Sequence, residues 1–220
     1  AVRMAIRLRT PVVLLTSKED VMTKRSFDLS SLEPIEPVTR RFYEGEDRYM
    51  SYLPGEDLVP PFLPVGNDRH QVRLNSSTHD QLGILQNRTA EALANTRRLP
   101  EKIERNIGEF TFYELDEQEE AGALIVSYGA TAQAAREAVV LLRSGGSKVS
   151  LLVVKTLLPF PSVCLSILER YARIIIAEEN LGGTLRQLLF GQSGRKGVSG
   201  VNAIGKSIPP EEIAAEVSRG

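Results

Sequence analysis

Three almost continuously apolar runs, ALIVSYG, KVSLLVVKTLLPFP and RIIIAEEN, constrain this chain more than any other feature of it. A strand with one wet face alternates apolar and polar residues. A strand that is apolar at nearly every position has to be covered on both faces, which is the habit of parallel sheets. Each run is followed by a helical pattern. TAQAAREAVVLLRSGG places Ala135, Val139 and Leu142 on one face and ends at Gly145 and Gly146. SVCLSILERYA follows the run stopped by Pro159 and Pro161, and LGGTLRQLLF opens at Gly182 and Gly183. GVNAIGK reads as a fourth, short strand. PPEEIAAEV reads as a closing helix, with Pro209 or Pro210 in its first turn and acids beside its N-terminus. Strands alternating with helices predict an α/β fold: a mostly parallel sheet with helices on both faces.

The chain before this region reads differently. AVRMAIRLR has helical spacing, and Thr10-Pro11 breaks it. PVVLL then has the apolar continuity of a buried parallel strand, and it requires neighbouring strands from elsewhere. From Lys24 to about Asn87, prolines cluster (Pro34, Pro37, Pro54, Pro60, Pro61, Pro64) and aromatic residues occur without period. Such a stretch is an extended crossing segment, packed through its aromatics. Thr89 to Arg105 has helical spacing, with Pro100 expected to kink or divide it. Three regions follow: 1–23, the tail of a preceding domain; 24–114, the extended crossing segment with a helix near 89–105; and 115–220, the α/β domain.

Composition excludes several classes. The 220 residues carry 27 Lys and Arg against 28 Asp and Glu, without the basic excess of a nucleic-acid binder. A single cysteine, Cys164, rules out a disulfide framework or a CxxC metal site within the chain and reads as a buried apolar group. Two histidines, His70 and His79, leave little for a metal centre. No apolar run has the length of a membrane span and no signal peptide is visible, so the expected location is cytoplasmic.

Ligands in open α/β sheets collect at the carboxyl ends of the strands. The candidates there are Ser127, Tyr128, Gly129 and Thr131, then Lys155 and Thr156, then Glu178, Glu179 and Asn180. Each also has a structural explanation. Thr131 is most simply a helix N-cap, and Glu178 to Asn180 precede a helix start, where carboxylates are favoured. Glu178 and Glu179 are adjacent in a strand and point to opposite faces, so they do not act on one substrate together. His79-Asp80 is the best dyad by composition, though neighbours in sequence seldom orient one another, and structural hydrogen bonding is expected. In GQSGRKGVSG, Arg195 and Lys196 belong to a connecting loop or contact an anion. No catalytic residue, cofactor-binding residue or metal ligand is assigned. His79, Asp80, Tyr128, Thr131, Glu179 and Asn180 are kept as interface or anion-contact candidates.

Read in order, ALIVSYGATAQAAREAVVLLRSGGSKVSLLVVKTLLPFP, RIIIAEENLGG and IPPEEI resemble the alpha subunit of 2-oxoacid:ferredoxin oxidoreductases, in the domain similar to the C-terminal domain of transketolase. Upstream, RYMSYLPGEDLVPPFLPVGNDRH resembles that subunit's Pro-rich crossing segment, STHDQLGILQN its His-Asp-x-x-Gly stretch, and RTPVVLLTSKEDVM the close of its pyrimidine-binding domain. The family's Tyr-Pro-Ile-Thr-Pro-like segment is missing here. Leu158 stands where an aromatic is common before Pro-Phe-Pro, and Gly183 where a Gln is common. The resemblance implies part of an enzyme that oxidatively decarboxylates a 2-oxoacid with coenzyme A and passes electrons to ferredoxin. Thiamine diphosphate, Mg and an iron–sulfur cluster are implied for the complex and none for this chain. A beta subunit and other oxidoreductase subunits are the implied partners, with no nucleic acid and no membrane.

Two rival readings stand beside it. One is the C-terminal domain of another thiamine enzyme, such as transketolase or a 2-oxoacid dehydrogenase beta subunit; the crossing segment and the His-Asp stretch count against it. The other is a free-standing module binding an anion at the turn after Gly129 or at Gly182-Gly183.

Overall fold

The structure is a computed structural model that describes residues 1–24 and 26–219. Arg25 and Gly220, which fall in the second and third expected regions, lie outside the described residues. The chain forms two compact units, Ala1–Leu14 with Arg25–Phe110, and Leu15–Lys24 with Thr111–Gly220.

The second unit holds a five-stranded sheet: β1 (Tyr113–Asp116), β2 (Ala123–Ser127), β3 (Val149–Val154), β4 (Ile174–Glu178) and β5 (Val198–Asn202), in spatial order β1-β3-β2-β4-β5. β3, β2, β4 and β5 run parallel, and β1 is antiparallel to β3. Register pairs Ile125 with Leu151 on one side and with Ile175 on the other. The continuous apolar runs are explained by two separate cores. On one face Ile125, Val149, Leu151, Val153 and Ile175 pack against Ala135, Ala138, Val139 and Leu142 of a helix at Thr131–Ser144 and against Ile213 and Val217 of another at Pro210–Ser218. On the other face Leu124, Val126, Leu152, Val154, Ile174 and Ile176 pack against Cys164, Ile167 and Leu168 of a helix at Ser162–Glu169 and Leu185 of one at Thr184–Phe190. Each such aliphatic side chain contributes roughly 1.5–3 kcal/mol by leaving water.

Two details of this unit differ from the sequence reading. The last strand is Val198–Asn202 rather than GVNAIGK, because its ladder to β4 runs from Ile174↔Val198 to Glu178↔Asn202. Gly197 makes the entry, at φ +83 with space for a Cβ blocked at 2.1 Å by the Ala172 carbonyl oxygen. The antiparallel edge strand β1 has the short pattern YELD, too brief to register as a period. Tyr113 and Leu115 join the second core, while Glu114 pairs with Arg136 and Lys155 and Asp116 with Arg143. Those charges keep an edge from recruiting another strand.

The first unit contains helices at Val2–Leu8 and Ala90–Asn106, together with a long stretch held by turns, a 3-10 turn at Leu29–Ser31 and isolated bridges Phe42↔Phe62 and His79↔Leu85. A short helix at Lys18–Met22 belongs to the second unit. In chain order the helices are α1 (Val2–Leu8), α2 (Lys18–Met22), α3 (Ala90–Asn106), α4 (Thr131–Ser144), α5 (Ser162–Glu169), α6 (Thr184–Phe190) and α7 (Pro210–Ser218). Aromatic pairs organise the stretch: Phe42 on Phe62, Tyr43 on both Tyr49 and His70, and Tyr52 on His79 at 3.7 Å between ring centroids. The Thr89 hydroxyl caps α3 by accepting from the Ala92 N–H. Pro100 does not divide this helix, which is continuous on both sides of it; Pro100 only withholds the N–H that would face the Thr96 carbonyl.

PVVLL forms no strand. Val12, Val13, Leu14 and Leu15 are exposed, since no strand among the described residues offers them a ladder partner. An apolar run cannot stand as a strand with its N–H and C=O groups unpaired.

Candidate functional site

In the second unit the chain leaves β2 toward β3 on one side and returns to β4 on the other, so the topological switch lies between β2 and β4. Ligand crevices form at such a point. The turns that meet there carry Tyr128, Gly129 and Thr131 after β2, and Glu178, Glu179 and Asn180 after β4. The structure thus brings four of the candidates, Tyr128, Thr131, Glu179 and Asn180, to one end of the sheet.

Most of the polar capacity there is already used internally. Glu178, fully buried at 0% exposure, accepts from the N–H groups of Leu185 (2.8 Å) and Arg186 (3.1 Å) and from the Asn180 side-chain amide. Its carboxylate is therefore a cap for α6, held against the free N–H groups of the first turn. Asn180 Oδ1 accepts from Thr184 N–H at 2.9 Å, and its amide reaches Tyr128 Oη at 3.4 Å. Burial, then the negative Glu178, raise the Tyr128 phenol above its ordinary pKa, with the Asn180 hydrogen bond opposing. Glu179 points away from this network and accepts from Ile208 N–H at 3.4 Å. Ser127 donates to the Ala177 carbonyl at 2.9 Å, bolting β2 to β4.

Thr131 is not the N-cap that the sequence suggests. Ala130 holds that position and Thr131 is the first residue of α4, buried, with no capping hydrogen bond from a side chain. Gly129, at φ +58, makes the turn so tight that Ala132 N–H finds the Gly129 carbonyl instead. Lys155 is ion-paired with Glu114, and Arg195 donates to the Tyr171 carbonyl and lies over the Phe190 ring.

The first unit holds a separate cavity of about 420 Å³, walled by Arg9, Ser51, Tyr52, Asn75, Thr78, His79, Asn95 and Arg98 among others. His79 and Asp80 part company here. Asp80 is buried and accepts from the N–H groups of Leu82 and Ile84 and from the Gln86 amide, closing its own turn. His79 Nδ1 meets the Ser77 carbonyl, so that nitrogen carries the proton, while Nε2 is enclosed without a partner. The dyad is structural at Asp80 and unfinished at His79. Sequence reasoning missed the rest of this wall. Asn95 and Arg98 follow Ala92 along the buried face of α3 at helical spacing, with Lys102 next on that face outside the cavity, and that spacing of polar residues was the available signal.

Among the described residues no group of three His, Cys, Asp or Glu side chains could hold a metal. Cys164 is buried and burial pushes its thiol up to about 11, so it is inert. No helix among the described residues is long and apolar enough to cross a membrane.

Sheet order, crossovers and two helical layers define an α/β domain with a mostly parallel sheet. Residues 121–205 match the family described as pyruvate:ferredoxin oxidoreductase core domain II. Beyond that match, the chain is similar in sequence to alpha-type subunits of 2-oxoacid:ferredoxin oxidoreductases. It is 27% identical to the 2-oxoglutarate synthase subunit KorA of Methanothermobacter thermautotrophicus, across 76% of this chain and 45% of that one. It is 28% identical to subunit alpha of 2-oxoacid:ferredoxin oxidoreductase 2 of Aeropyrum pernix, across 98% of this chain and 34% of that one. The fold matches 2-oxoglutarate:ferredoxin oxidoreductase from Magnetococcus marinus, solved with 2-oxoglutarate, coenzyme A and succinyl-CoA, at a TM-score of 0.72 and 22% identity over 83% of this chain and 32% of that one. The chain thus spans less than half the length of these relatives.

Proposed function

We propose that this chain serves as the transketolase-like part of the alpha subunit of a 2-oxoacid:ferredoxin oxidoreductase, a structural and subunit-contact component without catalytic residues of its own. In this reading 1–23 closes a preceding pyrimidine-binding domain, 24–114 is the crossing segment, and 115–220 is the transketolase C-terminal-like domain. The complex decarboxylates a 2-oxoacid with coenzyme A and passes electrons to ferredoxin, in the cytoplasm. The observation that carries the reading is the alpha-subunit match over 98% of this chain. The site geometry supports it: at the switch point Glu178 and Asn180 spend their hydrogen bonds on α6 rather than on a substrate.

The residues present do not fit the iron–sulfur cluster of such a complex, since a cluster takes several thiolates and this chain has Cys164 alone, buried. Nor do they offer a carboxylate set for Mg and thiamine diphosphate among the described residues. In the proposed complex those groups lie outside these 220 residues, and no step is routed through the residues present.

Oxygen-free purification from the native source, with mass spectrometry of what accompanies the chain, tests the proposal. A thiamine-binding beta subunit should copurify, and the assembly should reduce a viologen dye with a 2-oxoacid and coenzyme A, while the chain alone does not. Recovery of the chain alone, monomeric, overturns the reading.

A further inference from the structure

The buried face of α3 is cationic where most buried helix faces are apolar. Arg98 and Lys102 are both nearly sealed from solvent, at 7% and 3% exposure, and Arg9 lines the same cavity as Arg98. Among the described residues none of the three is within ion-pair reach of a carboxylate. Their partners are neutral oxygens: Arg98 donates to Asn95 Oδ1 (3.1 and 3.0 Å) and to the Leu58 carbonyl (2.7 Å), Arg9 to the carbonyls of Pro60 and Pro61, and Lys102 to the Leu8 carbonyl. A guanidinium has five N–H donors, so Arg98 and Arg9 each retain some for another acceptor. Buried charges are ordinarily paired, because an uncompensated one costs several kcal/mol. Here the compensating charge is missing from the protein, and a cavity of about 420 Å³, the size of small-molecule sites, adjoins the cations.

We propose that this cavity binds a small molecule bearing a phosphate, with Arg9 and Arg98 as its charged clamps and Thr78 on its wall. A phosphate carries close to two negative charges near neutrality and accepts from several donors at once, which matches a pair of guanidiniums with a lysine behind them. A carboxylate carries one charge and leaves more of the cluster uncompensated. The hydroxyl-rich wall of Ser51, Ser76, Ser77 and Thr78 supplies further donors, and Tyr52, tilted against His79, supplies apolar ring surface for the remainder of the ligand. The inference stands on the first unit alone and holds or fails independently of the oxidoreductase reading.

The test is titration of the full 220-residue chain with inorganic phosphate, by calorimetry and by 31P line broadening, at constant ionic strength set with chloride. Saturable one-to-one binding is expected, weakened about tenfold or more in Arg98→Gln and Arg9→Gln, as loss of a charged hydrogen bond implies. Arg195→Gln, in the other unit, should bind as the unaltered chain does. If Arg98→Gln does not fold by circular dichroism, Arg9→Gln and Thr78→Val decide the matter. Phosphate binding no better than chloride overturns the proposal, as does binding that Arg9→Gln and Thr78→Val leave unchanged. Acetate binding as tightly as phosphate overturns the assignment of phosphate.

Discussion

Lys102 provides the sharpest test of how the first unit is held together. Its side chain is buried against α1, with Nζ donating to the Leu8 carbonyl at 2.6 Å. Burial first, then the positive charges of Arg98 and Arg9, pull its pKa from 10.5 down to about 8. The folded state thus favours the neutral amine. Between about 8 and 10.5 the unfolded chain holds a proton that the folded chain has released, so stability rises with pH across that window. Below it both states are protonated and the folded state carries the full penalty. At about 1.4 kcal/mol for each pH decade, the penalty is at most on the order of 3 kcal/mol. Lys102→Met removes the charge and keeps the length, but gives up the hydrogen bond to Leu8, a loss of about 1–2 kcal/mol. The variant should therefore be more stable than the parent by about 1–2 kcal/mol at pH 7 and less stable by a similar amount above pH 10.5. Urea unfolding of both proteins at a series of pH values, in phosphate-free buffer, measures the difference; other titrating groups cancel in it. A difference that stays flat from pH 8 to 10.5 refutes the reasoning.

Two further outcomes follow from the second unit. Glu178→Gln keeps the shape of the side chain but offers an NH₂ to one of the α6 N–H groups, so it should lose about 2 kcal/mol of stability to urea at pH 7; a loss below about 0.5 kcal/mol would show that the carboxylate is no cap. Glu114 is held down at about 2, from 4.5, first by the hydrogen bond from Lys155 and then by that from Arg136. Its contribution is present above pH 4.5 and fades as pH falls toward about 2; because the group is exposed, it amounts to less than about 1 kcal/mol. The stability difference between the parent and Glu114→Gln should shrink over that interval, and a constant difference would count against the ion pairs.

The second unit was legible because its strands obey one rule at every position. ALIVS, VSLLVV and IIIA are buried residue by residue, and Ala135, Val139 and Leu142 face the sheet as their spacing requires. What escaped was local or short. β1 spans too few residues for a period, and its pairing is decided by Val153 and Leu151 across the ladder, which no local pattern encodes. Thr131 has the right chemistry for a cap, but Gly129 sets the turn one residue earlier. PVVLL has the composition of a strand, and a strand is a relation between two segments that composition cannot supply.

The candidate cavity was hidden for the opposite reason. A helix is recognised by an apolar stripe, and α3 turns Ala92, Asn95, Arg98 and Lys102 inward, a stripe that is mostly polar and charged. Read by the usual rule, those residues belong on a solvated face. Consistency between local pattern and burial holds across the five-stranded sheet and breaks at this helix face, as it does at the exposed PVVLL run, and such breaks concentrate where a protein keeps a function. His79 shows the same thing on a smaller scale: its sequence neighbour Asp80 is spent on a turn, while the ring is held by Ser77 and Tyr52 with one nitrogen left over. Adjacency in sequence pointed to a His-Asp pair. The fold instead sets His79 in the wall of the cavity that Arg9 and Arg98 also line, two cations whose partners in the chain are neutral oxygens.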